Sequence, residues 1–154
     1  MMTIVDDQTA VYRRHADELI RYATVLVGPA DAPDVVTDAV LAAFRAPAWA
    51  TVGNQRAYLY RAVLTTAHSW RRSAARRTGR EQKVAVREQV RDREPSVDAH
   101  RALASLSPQQ RAVVFLTYWE DLTPSQIADL LDVGEGSVRK QLARARETLR
   151  SVLS

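Results

Sequence analysis

The chain has no cysteine. That excludes a disulfide framework, a thiolate zinc finger, a cysteine nucleophile and a thiol redox switch. No apolar run approaches the roughly 18 residues a membrane span requires, so no membrane span is expected. The opening MMTIVDDQTAVYRRH carries acids where a signal peptide would be basic and then apolar, which predicts a soluble, cytoplasmic chain. Three histidines (His15, His68 and His100) form no HExxH or closely spaced pair, so neither a metal nor a cofactor is expected. GxGxxG, GxxxxGK[ST] and GxSxG are missing too, and with them the common phosphate-cradling loops and the nucleophile elbow. Acids and bases fall in no convergent constellation, so no enzyme is predicted.

Lysine is also scarce: Lys83 and Lys140 are the only two among 22 basic residues, and the rest are arginines. Arginine's planar fork suits phosphates and guanine edges. A GC-rich coding sequence favours the same residue, so position matters more than number. Over 154 residues, 46% are apolar and 26% charged, with a net charge of +4. This is a globular balance, with room for one domain or two small ones.

The periodicity is helical throughout and predicts an all-α protein: two small bundles joined by a flexible linker, the second a helix-turn-helix. Val11, His15, Leu19, Tyr22 and Leu26 mark the buried face of a helix over 11–27. Gly28 to Asp31 break it. Asp31 and Pro33 read as a cap region and a first-turn proline for a helix over 33–45, whose inner face carries Val36, Val40, Ala43 and Phe44. Residues 46–54 form a loop containing Trp49, and Asn54 is the expected N-cap of a long helix over 55–77. Residues 78–98 carry five basic and five acidic residues and few large apolar ones, the composition of a linker. The organisation expected is therefore 1–77, a linker 78–98, and 99–154. In the last part, Ser107-Pro108 and Thr123-Pro124 have the cap-then-proline form of helix starts.

Residues 125–138 fit two helices meeting at a tight turn. Ala128 is small where they approach, and Ile127, Leu131, Val133, Val138 and Leu142 supply a shared core. At about 100° per residue, Val138, Leu142, Ala145, Leu149 and Val152 form one narrow face of the final helix. Ser137, Lys140 and Arg144 lie opposite, in the half that a recognition helix lays against bases. Arg139, Arg146 and Arg150 flank them as phosphate contacts. The helix over 55–77 repeats the theme. Leu59, Val63, Thr66 and Trp70 face inward; Arg61, Thr65, His68 and Arg72 form a polar stripe, extended by Arg71, Arg76 and Arg77. Such a stripe can follow a single strand's phosphates while Tyr58 and Tyr60 stack on bases.

With these residues in view, the sequence resembles the sigma-70-type transcription initiation factors of the small extracytoplasmic-function group. Residues 106–150 are similar to that family's promoter −35-binding domain: Pro108, Arg111 and Val113 in one helix, Ile127, Ala128 and Leu131 in the next, then Gly136, Ser137, Val138, Leu142, Arg144 and Ala145. Residues 11–77 resemble its promoter-melting domain. Ala32 to Val40 stand where the family docks on the clamp helices of the polymerase's largest subunit, and Ala57 to Arg61 resemble the start of its −10-reading helix. Thr65 and Ser69 replace the family's usual Asn and Asp.

The resemblance implies core RNA polymerase and promoter DNA as partners, and an anti-sigma protein as a further candidate. It assigns polymerase docking to Asp34, Val35 and Asp38, and −35 binding to Ser137, Arg139, Lys140, Arg144 and Arg146. It assigns −10 binding to Trp49, Tyr58, Arg61, Thr65, His68, Arg71, Arg72 and Arg76. Trp49 has two readings, a loop residue that holds an unstacked base or a packing residue that closes the bundle. The alternatives are a conventional operator-binding regulator, which would be a stable dimer, and a degenerate paralogue that binds polymerase without initiating.

Overall fold

The computed structural model describes residues 4–76 and 97–153, with side chains over 7–73 and 101–152. The expected linker lies outside the described residues up to 96, and so do Arg77 and the side chain of Arg76. Helices α1 (Ile4–Val27), α2 (Ala32–Arg45) and α3 (Gln55–Arg76), with a 3-10 turn over Pro47–Thr51, form the first bundle. The second contains α4 (Val97–Ala104), α5 (Pro108–Tyr118), α6 (Pro124–Leu131) and α7 (Glu135–Leu153). No strand occurs among the described residues.

Local chemistry fixes most of the boundaries. Gly28 ends α1 at φ 92, a left-handed conformation that costs glycine nothing, and its N–H donates to the Thr24 carbonyl. Asp31 occupies the N-cap of α2, but its side chain makes no capping bond. Asn54 does cap α3, its Oδ1 accepting from the Ala57 N–H at 3.0 Å. Ser107 and Thr123 head reciprocal capping boxes. Each hydroxyl accepts from the backbone N–H of the glutamine three residues on (Gln110 or Gln126), whose side chain accepts in return. Such caps each contribute about 1 kcal/mol.

The turn of the helix-turn-helix pivots on Asp132, at φ 56 and ψ 51, rather than on Gly134 or Gly136. Aspartate tolerates this region better than most side chains. The Asp132 and Val133 N–H groups then both reach the Ala128 carbonyl.

The inner faces largely follow the predicted periodicity. Leu19, Tyr22 and Leu26 of α1 are buried against Val35, Val36, Ala39 and Val40 of α2 and Leu59, Tyr60 and Val63 of α3. In the second bundle Val113, Leu116, Ile127, Leu131, Val138, Leu142 and Ala145 are buried together. The bundles also pack on one another: α1 and α3 lie against α5, and α3 against α6. The Tyr22 and Phe115 rings meet across the seam, with centroids 5.7 Å apart.

Candidate nucleic-acid interface

The final helix presents the face its sequence predicts. Ser137, Arg139, Lys140, Arg144 and Arg146 are all exposed on α7, while Val138, Leu142 and Ala145 anchor its other side. Their partners divide them. Arg139 Nη2 donates to Glu135 Oε1 at 2.7 Å, one turn back. This order, acid before base, agrees with the helix dipole. Arg146 Nε donates to the Tyr118 hydroxyl at 2.8 Å, and its guanidinium lies over the Tyr118 ring. Lys140 and Arg144 have no carboxylate partner among the described residues. Two cations are thus held in place and two are free, all on one helix surface.

The stripe on α3 is different. Thr65 and Arg72 are exposed and His68 is half-buried. Arg61 Nε donates to the Ala57 carbonyl at 3.3 Å, and Nη1 lies 3.7 Å from Asp132 Oδ2 in the second bundle. Arg71 Nη1 donates to the Leu106 carbonyl at 3.0 Å, also across the seam. Burial lowers the Arg71 pKa. His68 is lowered too, by burial first and then by Arg72 and Arg71, so it favours the neutral form at neutral pH.

The aromatic residues need one correction. Tyr60 is fully buried, its ring 4.7 Å from that of Tyr22, so it cannot stack on a base. Its position on the same helix face as Leu59 and Val63 decides this. Trp49 is half-buried and held edge-on between Phe44 at 5.0 Å and Tyr58 at 5.7 Å. Its packing reading is the one these contacts support. Trp70, too, packs against the core. Near the start of α3, Arg56 Nε donates to both oxygens of Glu18, which also meets His15 Nδ1 at 3.0 Å. This tie between α1 and α3 was not predicted; the residues are 38 positions apart.

A second correction concerns α2. Val35 is wholly buried in the first bundle and offers nothing to a partner. Asp34, Thr37 and Asp38 are exposed, and so is Leu41 at 45%. Asp34, Asp38 and Leu41 are spaced four and three apart, on one face. Leu41 was not among the expected docking residues, although its place seven residues after Asp34 puts it on the same face.

The family described as sigma-70, region 4, matches residues 96–149, which include the helix-turn-helix. An RNA polymerase sigma-E factor of Streptomyces coelicolor is 33% identical over 150 residues, covering 92% of this chain and 82% of that one. The chain belongs to the extracytoplasmic-function group of sigma-70-type factors. The ECF RNA polymerase sigma factor SigL of Mycobacterium tuberculosis is 34% identical over 154 residues, covering 94% and 87% of the two chains. Sigma factor RpoE of Bartonella quintana, solved with the anti-sigma factor NepR, shares the fold at a TM-score of 0.64 and 22% identity, covering 96% of each chain. CnrH, solved with the cytosolic domain of CnrY, does so at 0.63 and 24%, covering 95% of this chain and 86% of its own. This sigma factor directs transcription initiation, with core RNA polymerase and promoter DNA as its partners. No described helix is long and apolar enough to cross a membrane.

Proposed function

We propose that the sigma factor divides promoter reading between its bundles, residues 1–77 taking polymerase and the melted −10 strand and residues 99–154 the −35 duplex. The observation that carries this reading is the exposed face of α7. Lys140 and Arg144 are free to meet base edges, with Ser137 beside them. Arg139 and Arg146, each fixed by a neighbour, suit phosphates and set the register.

In the first bundle Asp34, Asp38 and Leu41 dock on the polymerase clamp helices. Thr65, His68 and Arg72, with Arg61, Arg71 and Arg76, follow the −10 strand, and Tyr58 and Trp49 border it. Unstacking a base costs a few kcal/mol, which the strand's new contacts offset. Neither bundle need bind tightly alone, since polymerase and the linker raise the effective concentration of each site for the other. The work is binding rather than catalysis, so the chain is not an enzyme, and its location is the cytoplasm. An anti-sigma protein is a further partner in this reading, supported by the fold relative solved with the anti-sigma factor NepR.

The test is transcription by core polymerase, with and without this protein, on a library of random promoters. Transcripts that share a −35 and a −10 element are expected only when the protein is present. Specific binding of the chain to duplex without polymerase, as a stable dimer, would instead identify an operator-binding regulator. Polymerase binding without any transcript would identify a non-initiating paralogue and point to Thr65 and Ser69.

A further inference from the structure

Tyr118 and Trp119, at the end of α5, are 51% and 71% exposed. Adjacent exposed aromatics differ from scattered single ones, which need no explanation. Their backbone is fixed. The Phe115 carbonyl accepts from the Trp119 and Glu120 N–H groups, and the Leu116 carbonyl from that of Leu122. These bonds satisfy the helix-end oxygens most able to repel an anion. The Trp119 ring stacks on Phe115, with centroids 6.2 Å apart and planes 10° from parallel. Tyr118 is left to meet α7.

It meets Arg146. The Arg146 Nε donates to the Tyr118 hydroxyl oxygen at 2.8 Å, and the guanidinium carbon lies 5.8 Å from the ring centroid. A phenol that accepts through its oxygen still has its own hydrogen to donate. No acceptor for that hydrogen occurs among the described residues. The Nη1 and Nη2 groups of Arg146 have no carboxylate partner among them either. Glu147 is next in sequence but points about 100° away around the helix. An O–H and a guanidinium edge therefore stand side by side, both exposed and both without an acceptor.

Arg139 shows the contrast. It lies two turns earlier on the same flank of α7, about 20° away around the axis. Its holder is the Glu135 carboxylate, which offsets its charge and competes with any arriving phosphate. A phenol orients Arg146 without offsetting its charge, and it brings a second donor. This flank is about 120° around α7 from Lys140, away from the base edges and toward a groove wall.

We propose that Tyr118 and Arg146 form a clamp for one backbone phosphate at the edge of the −35 element. The phenol O–H and the Arg146 Nη groups donate to the same phosphodiester. Tyr118 thus touches DNA from α5, the helix before the helix-turn-helix, and also positions Arg146. This inference rests on the assignment of α7 to the −35 duplex.

The test uses the holoenzyme of core polymerase and the full chain. A preferred −35 duplex is selected from a pool of random sequences and resynthesised with single methylphosphonates, each removing one phosphate charge. With the parent, one such position is expected to weaken binding about tenfold, the loss of a charge-assisted hydrogen bond. Tyr118→Phe should shrink the cost at that position and Arg146→Ala should abolish it, while the other positions keep theirs. Arg146→Ala should also lower the slope of log affinity against log salt by about 0.9. A purely structural Tyr118 would weaken binding without changing the pattern of costs. A pattern that Tyr118→Phe leaves unchanged therefore overturns the clamp alone. A pool that yields no preferred −35 sequence overturns the assignment of α7, and the clamp with it.

Discussion

Helices α3 and α7 carry similar chemistry and stand in opposite states of readiness. Each has an apolar face in the core and a cationic face with arginines on successive turns. On α7 the cations are exposed, and Arg139 and Arg146, which have side-chain partners among the described residues, are held by residues of their own bundle. On α3, Arg61 and Arg71 reach across the seam to Asp132 and Leu106. A basic stripe in a sequence therefore specifies a surface that can bind nucleic acid. Whether that surface is available depends on what else the fold puts against it.

The largest expected effect breaks the comparison on the ready side. Replacing Lys140 and Arg144 together by Ala should lower transcription from −35-dependent promoters by about a hundredfold or more, since each well-placed base contact contributes about 1–3 kcal/mol. Polymerase pull-down should be unchanged; lost pull-down would mean that α7 serves polymerase rather than DNA. Next comes docking. Asp34→Arg with Leu41→Ala should weaken assembly with core polymerase about tenfold, or about 1.4 kcal/mol, measured by titration against labelled core. Normal assembly would remove the exposed face of α2 from the docking surface.

Smaller effects sharpen the other side. Arg61→Ala should reduce capture of the −10 strand a fewfold, while the chain's thermal stability stays nearly unchanged, because the contact with Asp132 is an exposed pair. A large fall in melting temperature would show that Arg61 is structural.

The smallest effect is a pH dependence at His68, whose folded pKa is lowered. In the free chain, stability is full above the ordinary value of 6.5 and falls as the pH drops below it, because the unfolded chain then binds more protons. Bound phosphates reverse this preference. Affinity for the −10 strand should rise as the pH is lowered from about 7.5 to 6, and His68→Gln should flatten the profile. An equal slope in both proteins would assign the titration elsewhere.

Much of this was legible in the chain itself. Periodicities around Leu19 and Leu142, the capped starts at Ser107 and Thr123, and the stop at Gly28 are interactions within a few residues. Such short-range chemistry fixed the helices and separated the inner from the outer face of α7. Composition alone removed thiol chemistry. Two expectations failed where neighbouring faces had to be told apart: Val35 and Tyr60 sit one residue from exposed or half-exposed positions, and a shift of about 100° around the helix decides their burial. The left-handed Asp132 was hidden by the two glycines that follow it, Gly134 and Gly136.

Only the tertiary structure decided the rest. Arg111 to Leu26, Arg71 to Leu106, Arg61 to Asp132 and Arg56 to Glu18 join residues 85, 35, 71 and 38 positions apart. No local pattern encodes such pairings, because each depends on how whole helices pack. The sequence determined which surfaces carry charge; packing determined which of those charges are free.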